Sequence, residues 1–309
     1  AILQKYHQSV FVTRLENSVI DYPPMNIEPI KQFYGVPACR LNDVKKKFVE
    51  VWIRDKLAQG IIRPSNSITA SPLHLTNKAG PDSFRVTQDV SKLNDCMPQL
   101  RSELPVTRDL VAKIGPHDYY WQLDMVDEFF QFAVHPDMAS LYAFNTHMGT
   151  FEWNDILPQG DKNSPAWTTN AMYHICRPLG DDVSIYFDDF AHGNDDPADL
   201  LKKLDAFLAL MLKHNAKFSC YKVRIGFPEI TCLGFDISNK GYSPRENQLK
   251  KFADAPFPNK DQIRSWFGLL NVFRDFIPDL HEVDAAFAAV RKKNAPYIIT
   301  DDMRTAFDK

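Results

Sequence analysis

Two carboxylates stand side by side in the stretch Val183-Ser184-Ile185-Tyr186-Phe187-Asp188-Asp189-Phe190-Ala191, between apolar flanks. Asp suits turns and the flanks suit buried strands, so the stretch reads as a tight β-hairpin with Asp188 and Asp189 at its turn. Adjacent carboxylates repel each other unless a cation sits beside them. A second apolar run, Tyr119-Tyr120-Trp121-Gln122-Leu123-Asp124-Met125, also meets a carboxylate. If the two runs are neighbouring strands of an antiparallel sheet, Asp124 and Asp188 come together. Paired carboxylates on adjacent strands are what a two-Mg²⁺ site for phosphoryl transfer needs, one ion activating an attacking hydroxyl and both stabilising the transferring group. An Asp-Asp turn is common by itself, and Asp127, Asp181, Asp182 and Asp195 are equally acidic competitors. Spacing alone leaves the ligand set open.

The frame that must position these groups is large. A chain of 309 residues, 44% hydrophobic and 24% charged, can bury a sizeable core and exceeds one typical domain. The net charge of −3 does not announce a nucleic-acid partner, so any such contact rests on local patches. The basic clusters Lys45-Lys46-Lys47, Lys202-Lys203, Lys250-Lys251 and Arg291-Lys292-Lys293 each read equally as a solvated helix face. No apolar run approaches the roughly 18 residues of a membrane span, and the N-terminus carries no secretion signal, so no membrane partner is expected. A start without Met reads as a fragment or a processed product. Five cysteines without a CxxC pair argue against zinc or a disulfide framework and point to an intracellular reducing compartment.

Taken in order, residues 1–30 contain Pro23-Pro24 and Pro29 and read as an extended arm. Residues 42–59 carry Val44, Phe48, Val51, Trp52 and Leu57 near helical spacing, with Gly60 as the stop. Residues 73–76 and 83–87 form two strands joined by a Gly-Pro-Asp turn region. Residues 127–131 begin a turn or short helix, and residues 143–153 form a hairpin bent at His147-Met148-Gly149. Ser164-Pro165 opens a helix with Ser as N-cap and Pro at the first helical position. A stripe of Leu200, Leu204, Phe207, Leu208 and Met211 marks a packed helix, and strands follow at 222–225 and 230–235. After Gly241 the composition shifts to two amphipathic helices, 262–277 and 283–290, separated by Pro278.

Together these segments resemble, in order, the reverse transcriptases of gypsy-type LTR retrotransposons and, more distantly, of retroviruses. Gln59-Gly60-Ile61-Ile62-Arg63-Pro64-Ser65, Phe84-Arg85-Val86-Thr87-Gln88-Asp89 and Lys92-Leu93-Asn94 are similar to the fingers. Gln122-Leu123-Asp124 with Phe129 and Gln131 resembles polymerase motif A, and Leu157-Pro158-Gln159-Gly160 with Asn163-Ser164-Pro165-Ala166 resembles motif B. Tyr186-Phe187-Asp188-Asp189 is similar to the YxDD box, Lys222 to the motif D lysine, Leu233-Gly234 to the primer grip, and residues 263–277 to the thumb.

The resemblance implies an α+β right-hand polymerase. It implies an N-terminal arm at 1–23, fingers and palm at 24–240 (palm mainly 118–135 and 158–240), a thumb at 241–295, and at 296–309 the start of a connection segment without a ribonuclease H domain. It implies an RNA-directed DNA polymerase that adds dNMP to a primer 3′-OH on RNA or DNA, using two Mg²⁺ ions, with Mn²⁺ as a substitute. Asp124 and Asp188 would hold the metals with Asp189 beside them. Lys78 and Arg85 would clamp the triphosphate, Phe129 would exclude a ribose 2′-OH, Gln159 and Gly160 would line the nucleotide pocket, and Lys222 would meet the leaving phosphate. Tyr186, Leu233 and Gly234 would contact the primer. Expected partners are a primer–template duplex, dNTPs, and a second copy or another chain supplying ribonuclease H. The expected location is a cytoplasmic virus-like particle or the nucleus. A thumb only slightly basic implies modest duplex affinity and low processivity.

Three residues depart from the family pattern. Glu128 stands where a small residue precedes the gate, Ser91 where the fingers carry Arg, and Asp161 adds a negative charge just after motif B. They motivate the rival expectation, a domesticated or accessory relative that binds nucleic acid or protein without polymerising.

Overall fold

The computed structural model describes residues 2–16, 18–78, 80, 83–101, 106–292 and 295–308. The N-terminal segment is more ordered than an extended arm. A helical turn, α1 (Ile2–Tyr6), is followed by β1 (Phe11–Val12), which pairs in parallel with β10 (Phe218–Ser219). Tyr6, Val10 and Phe11 are buried, and Lys5 and Tyr6 both bond the Asp205 carboxylate, at 2.9 and 3.0 Å. The segment is an outer layer of the main core.

Helix α2 (Asp43–Ala58) begins where the Asn42 side chain accepts from the Lys45 N–H at 3.0 Å and ends before Gly60, at φ +67°. Its buried face is Val49 and Ile53, flanked by Phe48 and Trp52, whereas Val44, Val51 and Leu57 of the expected stripe face outward. Five strands form one sheet in the order β2-β7-β6-β3-β4: β2 (Ile62–Pro64), β3 (Ser71–Asn77), β4 (Phe84–Gln88), β6 (Phe144–Thr146) and β7 (Gly149–Trp153). The short helix α3 (Ser91–Asn94) follows β4, and α4 (Thr107–Ile114) leads to the central strand β5 (Tyr119–Asp124). The short α5 (Pro136–Ala139) precedes β6.

A four-stranded sheet, β11-β5-β9-β8, carries the acidic stretches on β5, β8 (Ser184–Tyr186) and β9 (Asp189–Asn194), with β11 (Arg224–Phe227) at one edge. Helices α6 (Ser164–Cys176) and α7 (Pro197–Lys213) pack against it. The period-3.6 stripe of α7 lays Phe207 on Trp121 and Phe190, with ring centroids 5.2 and 5.4 Å away. The five-stranded and four-stranded sheets share one hydrophobic cluster running from Tyr6 to Phe218.

The run 230–235, expected as one strand, is two. β12 (Glu229–Cys232) and β13 (Phe235–Ser238) meet at Leu233 and Gly234, both at positive φ (+55° and +87°), and β14 (Gly241–Pro244) completes a three-stranded sheet. Four helices follow: α8 (Glu246–Ala253), α9 (Ile263–Val272), α10 (Leu280–Phe287) and α11 (Asp301–Asp308). The first expected helix stops short, giving way to a 3-10 turn at Arg274–Phe276. The terminal segment forms α11, whose buried Met303 joins the α9–α10 cluster. Among the described residues no helix is long and apolar enough to cross a membrane.

Candidate active site

Register brings the acidic residues together. β5 and β9 run antiparallel with Asp124 opposite Asp189, and in the β8–β9 hairpin Tyr186 pairs with Asp189. The turn is therefore Phe187-Asp188, and Asp189 is the first residue of β9 rather than a turn residue. A two-residue hairpin needs left-handed backbone, which Phe187 adopts at φ +52° at a cost of about 1–2 kcal/mol for a residue with a Cβ. The Asp188 carbonyl accepts the Met125 N–H at 2.8 Å, locking the hairpin tip against the end of β5.

A cavity of about 650 Å³ opens here, and Asp124, Asp188, Arg85, Phe129, Gln159 and Lys222 all line it. Six segments distant in sequence converge on it. Lys222, in the bend before β11, bonds both Asp124 oxygens at 2.8 Å. Burial, and then Asp124, push the Asp188 carboxyl above its ordinary range against the opposing Lys222 charge. Burial, Asp188 and Asp124 push Asp189 up to about 6. The cluster thus carries more negative charge than one lysine offsets.

That excess is the test of whether a metal fits. Mg²⁺ is usually held by one or two carboxylates with water and substrate phosphates completing its octahedron. Asp124 and Asp188, at one mouth and destabilised by mutual repulsion, suit that role, with Asp189 behind them. Among the described residues no ready-made cage of three or more His, Cys, Asp or Glu side chains occurs. The donor set fits an ion shared with substrate.

The remaining expected residues are placed differently. Lys78 is exposed at the end of β3, its N–H donating to the Ser83 carbonyl at 2.8 Å, and does not line the cavity; the loop beyond it lies partly outside the described residues. Gly160 lies behind the wall at φ +103°, where a Cβ would meet Val90 Cγ2 at 3.2 Å and the Gln88 carbonyl at 3.3 Å. Its carbonyl accepts from Asn94 at 2.9 Å, which ties the segment after Gln159 to α3. Tyr186 packs edge-on against Phe187 with centroids 4.5 Å apart, outside the cavity lining. Leu233 and Gly234 sit at the β12–β13 turn, tethered through the Gln122 amide, which donates to the Thr231 carbonyl at 2.8 Å.

Two of the three departures, Asp161 and Ser91, find a structural explanation. Asp161 does not enter the pocket. It is 2% exposed, takes the Tyr142 hydroxyl at 2.8 Å, and accepts the N–H groups of Asn163 and Ser164 at 2.6 and 3.2 Å. The N-cap of α6 is Asn163 rather than the expected Ser164, which is the first helical residue, and the Asp161 carboxylate takes the N–H groups of both. Ser91 donates its hydroxyl to Asp89 at 2.6 Å, and this bond holds the Asp89 carboxyl below its ordinary range. Glu128 does line the cavity, yet is only 6% exposed, and its Oε1 has no hydrogen-bond partner among the described residues. Burial pushes its carboxyl up to about 7, against a hydrogen bond from the Thr168 side chain and with a smaller push from the Asp188 charge.

Some lining residues carried no readable signal in the sequence. Thr13 follows β1 and Ser219 lies on β10, and both reach the cavity only because the N-terminal segment pairs with β10. Asp127 and Phe187 belong to the expected motifs but had no role assigned; their positive φ, +44° and +52°, turns them into the site. Gln131 is structural: its amide donates to the Val126 and Lys217 carbonyls at 2.6 and 2.8 Å and stitches the turn after β5 to the approach to β10.

Comparison with known proteins agrees with this geometry. The "Pro-Pol polyprotein" of simian foamy virus type 3 is 28% identical over 301 residues, which is 96% of this chain and 26% of that protein. The retrovirus-related Pol polyproteins from the Drosophila melanogaster transposons 297 and gypsy are 28% and 25% identical, covering 79% and 85% of this chain. The chain thus spans about a quarter of the length of these relatives. A foamy viral protease–reverse transcriptase solved with double-stranded DNA superposes with a TM-score of 0.85 at 21% identity, covering 99% of this chain and 54% of that one. Another, solved with an RNA/DNA hybrid, superposes with a TM-score of 0.81 at 22% identity, covering 99% of this chain and 42% of that one. The fold is that of a right-hand polymerase. Residues 64–237, more than half of the chain, match the family described as "Reverse transcriptase (RNA-dependent DNA polymerase)", and the chain belongs to that family.

Proposed function

We propose that this chain is the polymerase part of a retroelement Pol protein, extending a primer 3′-OH with dNTPs on an RNA template and, by the same geometry, on DNA. The observation that carries the reading is the convergence of Asp124, at the end of β5, and Asp188, in the turn of the β8–β9 hairpin beside it, on one cavity with Arg85, Phe129, Gln159 and Lys222. Residues 24–240 act as fingers and palm and residues 241–295 as thumb, with the N-terminal segment serving as a layer of the palm.

Asp124 and Asp188 would hold two divalent ions, Mg²⁺ or Mn²⁺. When bound, these ions lower the pKa of the attacking hydroxyl and stabilise charge on the transferring phosphoryl group. Arg85 would grip the triphosphate through its planar fork, with Lys78 approaching from the fingertip. Phe129 packs where the sugar 2′ position lies and selects deoxynucleotides sterically. Lys222 leaves Asp124 to meet the released diphosphate, neutralising its charge. Gly160 holds the Gln159 backbone against the nucleotide, and Tyr186 supports the hairpin near the primer end. Leu233 and Gly234, on the β12–β13 turn, contact the primer strand. The solved foamy viral relatives bound to double-stranded DNA and to an RNA/DNA hybrid support a duplex as partner.

An accessory, non-polymerising role is the second reading, favoured by Glu128 adding a carboxyl to an already acidic cavity. Primer extension on RNA with dNTPs and with rNTPs, in Mg²⁺ and in Mn²⁺, separates the two. Extension with dNTPs alone supports polymerisation, and its absence under every condition supports the accessory role.

A further inference from the structure

One charged contact at the cavity ties up the oxygens that a metal ion needs. The Lys222 ammonium donates to both Oδ1 and Oδ2 of Asp124, each at 2.8 Å. The fold sets this pair. β11 runs antiparallel to β5 with Arg224 opposite Gln122, and the same offset carried two residues further brings Lys222 to Asp124. The Asp124 side chain is only 14% exposed, whereas that of Lys222 is 63% exposed. The ammonium therefore caps the carboxylate from its solvent side.

Under the reading above, Asp124 is also a metal ligand. An ammonium bonded to both of its oxygens and a divalent ion compete for the same lone pairs, so the ion binds only at the expense of the pair. A second competitor acts on the lysine. Arg85 and Lys222 line one cavity, so a triphosphate gripped by Arg85 brings its negative charge within reach of the exposed Lys222 stem.

We infer that Lys222 is a positioning residue that withholds Asp124 from the metal until a triphosphate arrives, so that metal and nucleotide bind cooperatively. The inference rests on the polymerase reading. The ammonium holds the carboxylate oriented and offsets part of the repulsion among Asp124, Asp188 and Asp189. The phosphates then draw the ammonium away, and the oxygens it releases are the ones the ion takes. Linkage makes the effect reciprocal: whatever draws Lys222 off Asp124 raises metal affinity, and the metal raises nucleotide affinity by the same factor.

The test is Mn²⁺ binding by the full chain, read by electron paramagnetic resonance without nucleotide or primer. An ion pair that has to break first weakens the competing ion by roughly 10-fold, the low end for bonds to charged groups because the lysine is mostly exposed. Lys222→Met is therefore expected to bind Mn²⁺ about 10-fold more tightly than the unsubstituted chain. Lys222→Arg, whose fork spans both oxygens, is expected to bind it as weakly as the unsubstituted chain. On a chain-terminated primer–template with the next dNTP, the difference between Lys222→Met and the unsubstituted chain is expected to close. Equal or weaker Mn²⁺ binding by Lys222→Met without nucleotide overturns the assignment, and so does a difference that persists undiminished in the complex. Lys222→Gln reads the same tightening should Lys222→Met not fold. An Mn²⁺ site that survives Asp124→Asn overturns the metal reading, and this assignment with it. These readouts need no turnover, so a chain that binds Mn²⁺ as expected yet extends no primer overturns the polymerase reading and leaves the competition at Asp124 standing.

Discussion

Substituting Asp161 with alanine removes two supports at once. Its Oδ1 accepts the N–H of the α6 N-cap residue, Asn163, at 2.6 Å and that of the first helical residue, Ser164, at 3.2 Å. Its Oδ2 accepts the buried Tyr142 hydroxyl at 2.8 Å, and burial together with the Asp161 charge keeps that phenol well above its ordinary pKa. Loss of a helix cap costs about 0.5–2 kcal/mol. A buried hydroxyl stripped of its acceptor costs about 1–3 kcal/mol. Asp161→Ala should therefore destabilise the main core by about 1.5–5 kcal/mol. Tyr142→Phe in the Asp161→Ala background should cost less than alone, with a coupling of about 1 kcal/mol or more. Urea unfolding followed by tryptophan fluorescence measures this, since Trp52, Trp121, Trp153 and Trp167 belong to that core and Trp266 alone to the thumb cluster. A loss below about 1 kcal/mol, or strict additivity with Tyr142→Phe, would refute the capping role and return Asp161 to the pocket.

Two further outcomes follow from the cavity. The Glu128 carboxyl binds its proton more tightly folded (about 7) than unfolded (4.5). Its contribution to stability is thus fully present at low pH and lost as pH rises through about 7. Between about pH 5 and pH 8 the unsubstituted chain should lose about 2 kcal/mol relative to Glu128→Gln, and parallel pH profiles would contradict this. Asp189, also raised, acts with the same sign in both chains and cancels in the comparison. Arg85 is exposed on β4, so Arg85→Ala should leave unfolding unchanged while cutting kcat/KM for dNTPs by roughly 10- to 100-fold, mostly through KM, in steady-state extension.

The sequence was legible where local chemistry decides structure. The β3–β4 hairpin, α2 with its Gly60 stop, the β6–β7 hairpin and α7 follow from alternation, helical spacing and turn residues, and the structure has them all. The polymerase motifs were legible through resemblance, and their order predicted the right-hand fold. Long-range register was not legible. Asp189 opposes Asp124 because β5 and β9 pair with that offset, which spacing cannot reveal. The N-terminal segment carries too little periodicity to announce a helix and a strand; partners near residues 205 and 218 order it. Asp161 reads as a pocket charge from its position after motif B, and only the depth of Tyr142 shows that it points inward. Helices α8 and α11 are short, and in α11 Met303 is the buried residue, so neither showed a stripe long enough to stand out.

The central claim, that Asp124 and Asp188 form the chemical centre of a DNA-synthesising site, meets its most direct test in primer extension on an RNA template with the unsubstituted chain beside Asp188→Asn. The account predicts Mg²⁺-dependent addition of dNTPs by the first and loss of nearly all extension in the second, with unfolding of the two chains alike. Extension that survives Asp188→Asn, in preparations free of other polymerases, would contradict it.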